Sequence, residues 1–213
     1  MGRWTKERWD KDISAVRALY SKDPLEIYNR RYYGKRRKMR DWEMASGKAL
    51  SKTLNLESII DFGCGLGSYL EGALQAKTKR VLGIDIGYDI AKEFIPDYMR
   101  GFIKKGHIGK PLDYGKWDCA LSLEAAEHLL PEEEDVFIEN MVNASSRLIV
   151  LSVGYNFCYF HLNAGKKPKY WANKLVEAGC RLLPEETKKV KDAWMGKARR
   201  HVIRHVMVAV VNE

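Results

Sequence analysis

The sequence predicts an α/β fold, a mostly parallel sheet flanked by helices and closed by a reversed terminal strand. Three observations carry this. Ser58–Tyr69, SIIDFGCGLGSY, is a short apolar run followed at once by glycines at 63, 65 and 67 and a helix-compatible segment, which reads as strand, tight turn, helix. A second apolar run, Arg80–Ile84, ends in Asp85, about twenty residues after the turn, where an acid is placed to accept hydrogen bonds from a ribose diol. Apolar runs and helical patterns then alternate to the end of the chain, the pattern of parallel strands with crossover helices. Glycine suits the turn because the backbone there takes positive φ and a ligand comes close, which a Cβ would obstruct. The spacing is Asp-Phe-Gly-Cys-Gly-x-Gly and not G-x-G-x-x-G, which points away from a dinucleotide.

Taken in order, residues 4–20 alternate charged and apolar positions with Trp9, Ile13, Val16 and Leu19 or Tyr20 on one helical face. Ser21–Pro24 breaks this helix, and Leu25–Tyr33 forms another short one. The run RRYYGKRRKMRDW sets Tyr28, Tyr32, Tyr33 and Trp42 among cations, either to stack on a base or sugar ring or to pin a helix to the core. Ala45–Leu54 is the helix before the first strand, with Asn55 as its cap. Beyond the second strand, Ile90–Tyr98 is a helix interrupted by Pro96, Arg100–Ile108 the third strand, Trp117–Leu123 the fourth and Arg147–Val153 the fifth. Pro131–Asn143 is a helix with Glu132, Glu133, Glu134 and Asp135 at its start, as the helix dipole favours. A loop with Tyr155, Phe157, Tyr159, Phe160 and His161 leads to a helix over Pro168–Gly179. Cys180–Leu183, a charged helix over Pro184–Lys197 and a strand over His201–Val211 complete the chain.

The 213 residues suit one domain: residues 1–54 are an N-terminal helical extension and 55–213 the core. No run of about eighteen apolar residues and no signal-peptide pattern is present, so a cytoplasmic protein without a membrane span is expected. Four cysteines without a CxxC pairing read as reduced thiols. The net charge of +9 is unevenly spread: residues 1–54 carry 15 Lys+Arg against 7 Asp+Glu, residues 164–204 carry 12 against 4, and residues 55–163 carry 10 against 16. Two basic flanks beside an acidic middle suit a nucleic acid, a phosphorylated glycan carrier or a membrane surface, or are simply a solvated lysine-rich exterior.

DFGCGLGSYL followed by GIDIG resembles motif I and the next acidic strand end of class I S-adenosylmethionine (SAM) dependent methyltransferases, a resemblance spanning residues 57–170. It implies a Rossmann-like sheet with SAM as cofactor. Asp61, Phe62, Gly63, Cys64 and Gly65 would lie beside its methionine part, Asp85 and Ile86 at its ribose, and Leu123 at the neighbouring strand end. Many relatives carry an acid that holds the adenine amino group. Here His107 stands at that position, with Ile108 to pack on the ring.

Directly after the fourth strand comes SLEAAEHL. If the chain turns helical there, Glu124, Glu127 and His128 share one face beside the strand ends where ligands bind in open α/β sheets. The E-x-x-E-H pattern resembles small-RNA terminal-ribose 2′-O-methyltransferases and the catechol-type O-methyltransferases of ubiquinone biosynthesis. In the RNA group Glu, Glu and His bind a divalent metal with a histidine from a later loop, which implies Glu124, Glu127, His128 and His161 as ligands. The longer string, LSLEAAEHLLPEEEDVFIENMVNASSRLIVLSV with HLN and KYW, is similar to methyltransferases found with glycan-modifying enzymes in bacteria and large viruses, which read SLEVAEHLP, FIENL, GHVN and YW. This chain keeps His161, Asn163, Tyr170 and Trp171 but has GYNFCYFHLN in place of their glycine-rich loop. A viral source would make the host cytoplasm its location.

A sugar hydroxyl is a poor nucleophile and the methyl sulfonium a strong electrophile, so activation must fall on the hydroxyl. Mixed carboxylate and imidazole ligands favour manganese or magnesium over a closed tetrahedral zinc site. Otherwise Glu127 caps the next helix and His128 is merely hydrogen-bonded, with His161 or His128 as general base. The expectation is a SAM-dependent O-methyltransferase acting on a sugar hydroxyl of a glycan or nucleotide sugar, with Glu127, His128 and His161 catalytic. The alternatives are an RNA ribose 2′-O-methyltransferase and a non-catalytic SAM-fold module that binds through its basic surface.

Overall fold

A computed structural model describes residues 5–158 and 161–212. Three helices, α1 (Lys6–Lys22), α2 (Arg30–Arg36) and α3 (Arg40–Leu54), precede β1 (Ser58–Phe62). There follow α4 (Ser68–Gln75), β2 (Arg80–Asp85), α5 (Tyr88–Ala91), α6 (Asp97–Arg100), β3 (Ile103–Lys105), β4 (Trp117–Leu123), α7 (Glu134–Ala144) and β5 (Ser145–Ser152). The chain closes with α8 (Pro168–Glu177), β6 (Cys180–Leu182), α9 (Pro184–Trp194), α10 (Arg200–His205) and β7 (Met207–Val211). Among the described residues no helix is long and apolar enough to cross a membrane.

The seven strands run in the order β3-β2-β1-β4-β5-β7-β6, parallel from β3 to β5, with β7 antiparallel to both neighbours. Mostly parallel with a reversed terminal strand is thus the observed sheet. Alternation along each parallel strand feeds two apolar layers. Ile59, Cys119, Leu121, Leu148 and Val150 face α3, α4 and α9. Ile60, Ala120, Ile149 and Leu151 meet Phe137 and Met141 of α7 and Trp171 of α8 on the other side. Strand order reverses between β1 and β4, so their carboxyl ends open the crevice in which this architecture binds ligands.

The helix that carries the glycine turn is fixed by a second pair of glycines. A Cβ at Gly47 of α3 would stand 2.0 Å from the Tyr69 carbonyl oxygen, and one at Gly72 of α4 would stand 2.0 Å from that of Met44. The two backbones touch, and no flexible side chain can yield. Gly72→Ala should therefore cost about 3 kcal/mol or more, at the upper end for overpacked cores. Urea unfolding checks this; a loss below about 1 kcal/mol would mean that the helices part freely.

Several predicted boundaries differ. Residue 4 and the loop residues Tyr159 and Phe160 lie outside the described residues. The second N-terminal helix starts at Arg30, after a 3-10 turn over Pro24–Glu26, and α3 starts at Arg40. The third strand is three residues long, because Asp97–Arg100 is helical and the chain leaves the sheet at Gly106. His201–Val211 is a strand only from Met207 onward. Val202 and Val206 are the buried positions before it, four apart, and that spacing seats a helix on the core despite the β-branched composition.

Candidate functional site

Two adjoining cavities open at the carboxyl ends of the parallel strands. The smaller, of about 50 Å³, is lined by Gly63 and Gly65 of the turn, Asp85 and Ile86 after β2, and His107 and Ile108 after β3. Gly63, Gly65 and Gly67 take φ of 83°, 58° and 72°, conformations that side chains disfavour, and the turn is clasped by Asp85, whose Oδ2 accepts from the Gly65 N–H at 2.8 Å. Asp85 Oδ1 accepts from the Gly87 N–H at 2.9 Å and from the Tyr33 hydroxyl at 2.5 Å. Tyr33 belongs to α2, and with Tyr20, Tyr28 and Tyr32 it roofs this cavity.

Asp61, Phe62 and Cys64 lie beneath the turn. Asp61 is buried, and burial, then Glu43 and Asp85, push its carboxyl well above the usual range. Phe62 packs in the α7 layer, and Cys64 Sγ fills the space over Gly83. His107 Nδ1 accepts from the Gly109 N–H at 3.0 Å, which leaves the ring proton on Nε2, facing the Tyr20 hydroxyl at 3.0 Å and Glu133 Oε1 at 3.3 Å. No disulfide joins the four cysteines among the described residues.

The larger cavity, of about 640 Å³, is lined by Leu123, Glu124, Glu127, His128 and His161 and by residues of the N- and C-terminal segments. Tyr32, Arg36, Glu124 and His128 line both cavities and form the partition. Glu124, Glu127 and His128 do not share a helical face, contrary to the sequence-based expectation. Glu124 has φ 55°, a 3-10 turn spans Ala126–His128, and Leu129 and Leu130 are extended. The positive φ of Glu124 breaks the face at its start, and Pro131, which disfavours the α region at Leu130, stops a helix from running on.

Three of the four predicted ligands converge by another route, and Glu124 lies outside their cluster among the described residues. The Asn163 N–H donates to the Glu127 carbonyl at 3.1 Å and ties the HLN loop to the E-x-x-E-H turn. Glu127, His128 and His161 thereby bring one ligand atom each within 4.8 Å of one another. A Cβ on Gly154 after β5 would fall 2.6 Å from Glu127 Oε1, 3.2 Å from Glu124 Oε2 and 3.2 Å from His161 Cε1, so glycine leaves the room in which these side chains meet.

The electrostatics are those of a cation-ready site. Glu127 is 1% exposed, and its Oε2 is buried with no hydrogen-bond partner among the described residues. Burial and then the Glu124 carboxylate push Glu127 well above the usual range, and burial raises Glu124. His161 Nδ1 faces the Asn156 carbonyl at 2.7 Å and must carry the proton, so the Nε2 lone pair points towards Glu127 Oε1 at 3.8 Å. Burial holds His161 below its ordinary pKa and hence neutral. Two carboxyls that resist ionisation together, an orphaned oxygen and a free imidazole lone pair fit a divalent cation by donor type.

Residues the sequence did not single out complete the cavity. His201 Nε2 stands 3.4 Å from Glu124 Oε2, and burial followed by the charge on Arg199 pushes its pKa down to about 4. Arg199, Arg204 and His205 line the same wall. The signal was present as H-x-x-R-H, but a strand reading sets Arg204 opposite the two histidines, whereas in a helix i, i+3 and i+4 share a face.

No protein-family model and no curated sequence matches this chain. Solved structures do. The plantazolicin methyltransferase BpumL, in complex with S-adenosylhomocysteine (SAH), matches with a TM-score of 0.61 at 14% identity, over 98% of this chain and 99% of that one. The chain has the SAM-dependent methyltransferase fold. A SAM-dependent methyltransferase from Clostridium acetobutylicum matches with a TM-score of 0.58 at 12% identity, over 81% of this chain and 93% of that one. The methyltransferase domain of bacterial CtHen1 gives 0.51 at 17% identity, over 81% and 98%. Within this methyltransferase fold the smaller cavity occupies the crevice at the strand-order reversal, with the larger one beside it.

Proposed function

We propose that this chain is a SAM-dependent O-methyltransferase that methylates a sugar hydroxyl of a glycan or nucleotide sugar with the help of a divalent cation, manganese or magnesium. One observation carries the reading: Glu127, His128 and His161 converge, with an orphaned Glu127 oxygen, in a roomy cavity that shares a partition with the glycine-turn cavity. Glu127, His128 and His161, with Glu124 beside them, would hold the cation. When bound, it supplies Lewis acidity toward a hydroxyl or a vicinal diol. Asp85 and the Gly63–Gly65 backbone would hold SAM, with His107 and Ile108 beside its adenine. The partition residues keep methyl donor and acceptor apart except where they react. The Asn156 carbonyl holds the His161 ring in one tautomer, and Gly154 keeps the space between the carboxylates open. In a cation-free site His161 or His128 accepts the hydroxyl proton instead.

Transfer from methyl-labelled SAM to panels of nucleotide sugars, glycans and short RNAs tests this. Label on a sugar hydroxyl, lost on chelation, is the expected result. Transfer to RNA alone would move the assignment to a ribose 2′-O-methyltransferase. SAM binding with no transfer to any panel would leave a binding module.

A further inference from the structure

The larger cavity is lined by acids, Glu43, Glu124 and Glu127, and by cations, Arg36, Arg199 and Arg204. Arg199 precedes α10, and His201, Arg204 and His205 lie at i, i+3 and i+4 of it, so all four face the cavity from one short stretch. The contact of His201 with Glu124 places that face beside the acids. Arg204 and His205 follow one helical turn on, about 5 Å further, which is the span of a sugar ring. The two arginines are unneutralised. Among the described residues neither has a carboxylate within ion-pair distance, and Arg199 Nη1 meets only the thioether of Met39 at 2.9 Å. Arg36 and Arg40, by contrast, are each paired with a buried glutamate, Glu43 and Glu71. His205 Nδ1 is buried with no hydrogen-bond partner among the described residues, and the half-exposed Tyr155 ring stands 4.9 Å from the His205 ring, an aromatic face on the same wall.

We propose that this wall is a subsite for a phosphate group carried by the sugar acceptor, with Arg199 and Arg204 on the phosphate and Tyr155 against the adjoining ring. This rests on the reading of the larger cavity as the acceptor site for a sugar hydroxyl. Guanidinium forks match phosphate geometry, and their charge is constant through neutral pH. His201 and His205 add hydrogen-bonding groups to the same wall. A cavity of about 640 Å³ suits a small phosphorylated sugar, and the cations face into it from one stretch of chain.

Calorimetric titration of SAH-loaded protein with UDP-glucose, a hexose phosphate, UDP and glucose tests the subsite. The phosphorylated compounds should bind and glucose should not. Comparison of UDP with the hexose phosphate tells whether a nucleotide or a sugar phosphate is the preferred source of the anion. Arg199→Ala and Arg204→Ala should each weaken UDP-glucose roughly tenfold or more and leave SAH affinity and melting temperature unchanged, with Arg204→Lys intermediate. Glucose binding as tightly as UDP-glucose, or a double variant that binds UDP-glucose like the parent, would overturn the proposal. So would a short single-stranded RNA that outcompetes UDP-glucose by orders of magnitude with a steep salt dependence, which would mark a nucleic-acid surface. Label found on nitrogen or carbon, with arginine-dependent UDP-glucose binding intact, would refute the sugar-hydroxyl reaction and leave the phosphate subsite standing. Transfer to neutral glycans unaffected by the double variant would refute the subsite alone.

Discussion

Glu127→Gln is expected to abolish methyl transfer while leaving the protein at least as stable as its parent. The Glu127 carboxyl is almost wholly buried, one oxygen has no partner, and burial together with Glu124 opposes its ionisation. A buried charge left uncompensated costs several kcal/mol, whereas a neutral amide with one unmet hydrogen bond costs about 1–3. Glutamine therefore relieves the folded state and removes the charge that a divalent cation requires. The activity should fall about a thousandfold or more, the range seen when a transition-state electrostatic contact is removed. Metal analysis should show the variant emptied, and His161→Ala and excess chelator should reproduce the effect, with manganese or magnesium restoring the parent. Full turnover in chelator, with the site shown to be empty, would rule out the cation and leave a histidine as the base.

Asp85→Ala should weaken SAM binding by about a hundredfold or more, since hydrogen bonds to a charged group are worth about 1.5–3 kcal/mol each. The side chain accepts from Gly65, Gly87 and Tyr33 at once, so its loss opens the glycine turn as well as removing the proposed ribose acceptor. Tyr33→Phe separates the two effects. It deletes the contact from the roof and spares the clasp on the turn, so SAM affinity should change less than tenfold. Calorimetry with SAH on folded variants decides, and unchanged affinity in Asp85→Ala would remove this residue from the cofactor site.

The parallel sheet was legible because its strands are buried on both faces and stand out as continuous apolar runs, and the glycine turn because its backbone demands are local. The acids after β4 were legible as a group, but their geometry was not. Periodicity gives no weight to the Leu130–Pro131 pair, which cuts the helix to a 3-10 turn, or to the Asn163 bond that draws the His161 loop in. The C-terminal wall was hidden by β-branched residues whose local preference yields to the burial of Val202 and Val206. Tyr33 on Asp85 joins residues 52 positions apart, and nothing within either segment announces it.

Among the anchors of the N-terminal segment are contacts to the residues of both cavities. Tyr33 holds Asp85, while in α1 the Trp9 indole donates to the His161 carbonyl at 2.8 Å and Arg17 donates to the Leu162 carbonyl at 2.6 Å. One continuous stretch is therefore latched to the acid of the glycine turn and to the loop that bears an imidazole of the other cavity. A substitution that displaces this stretch would therefore act on the glycine turn and on the His161 loop together.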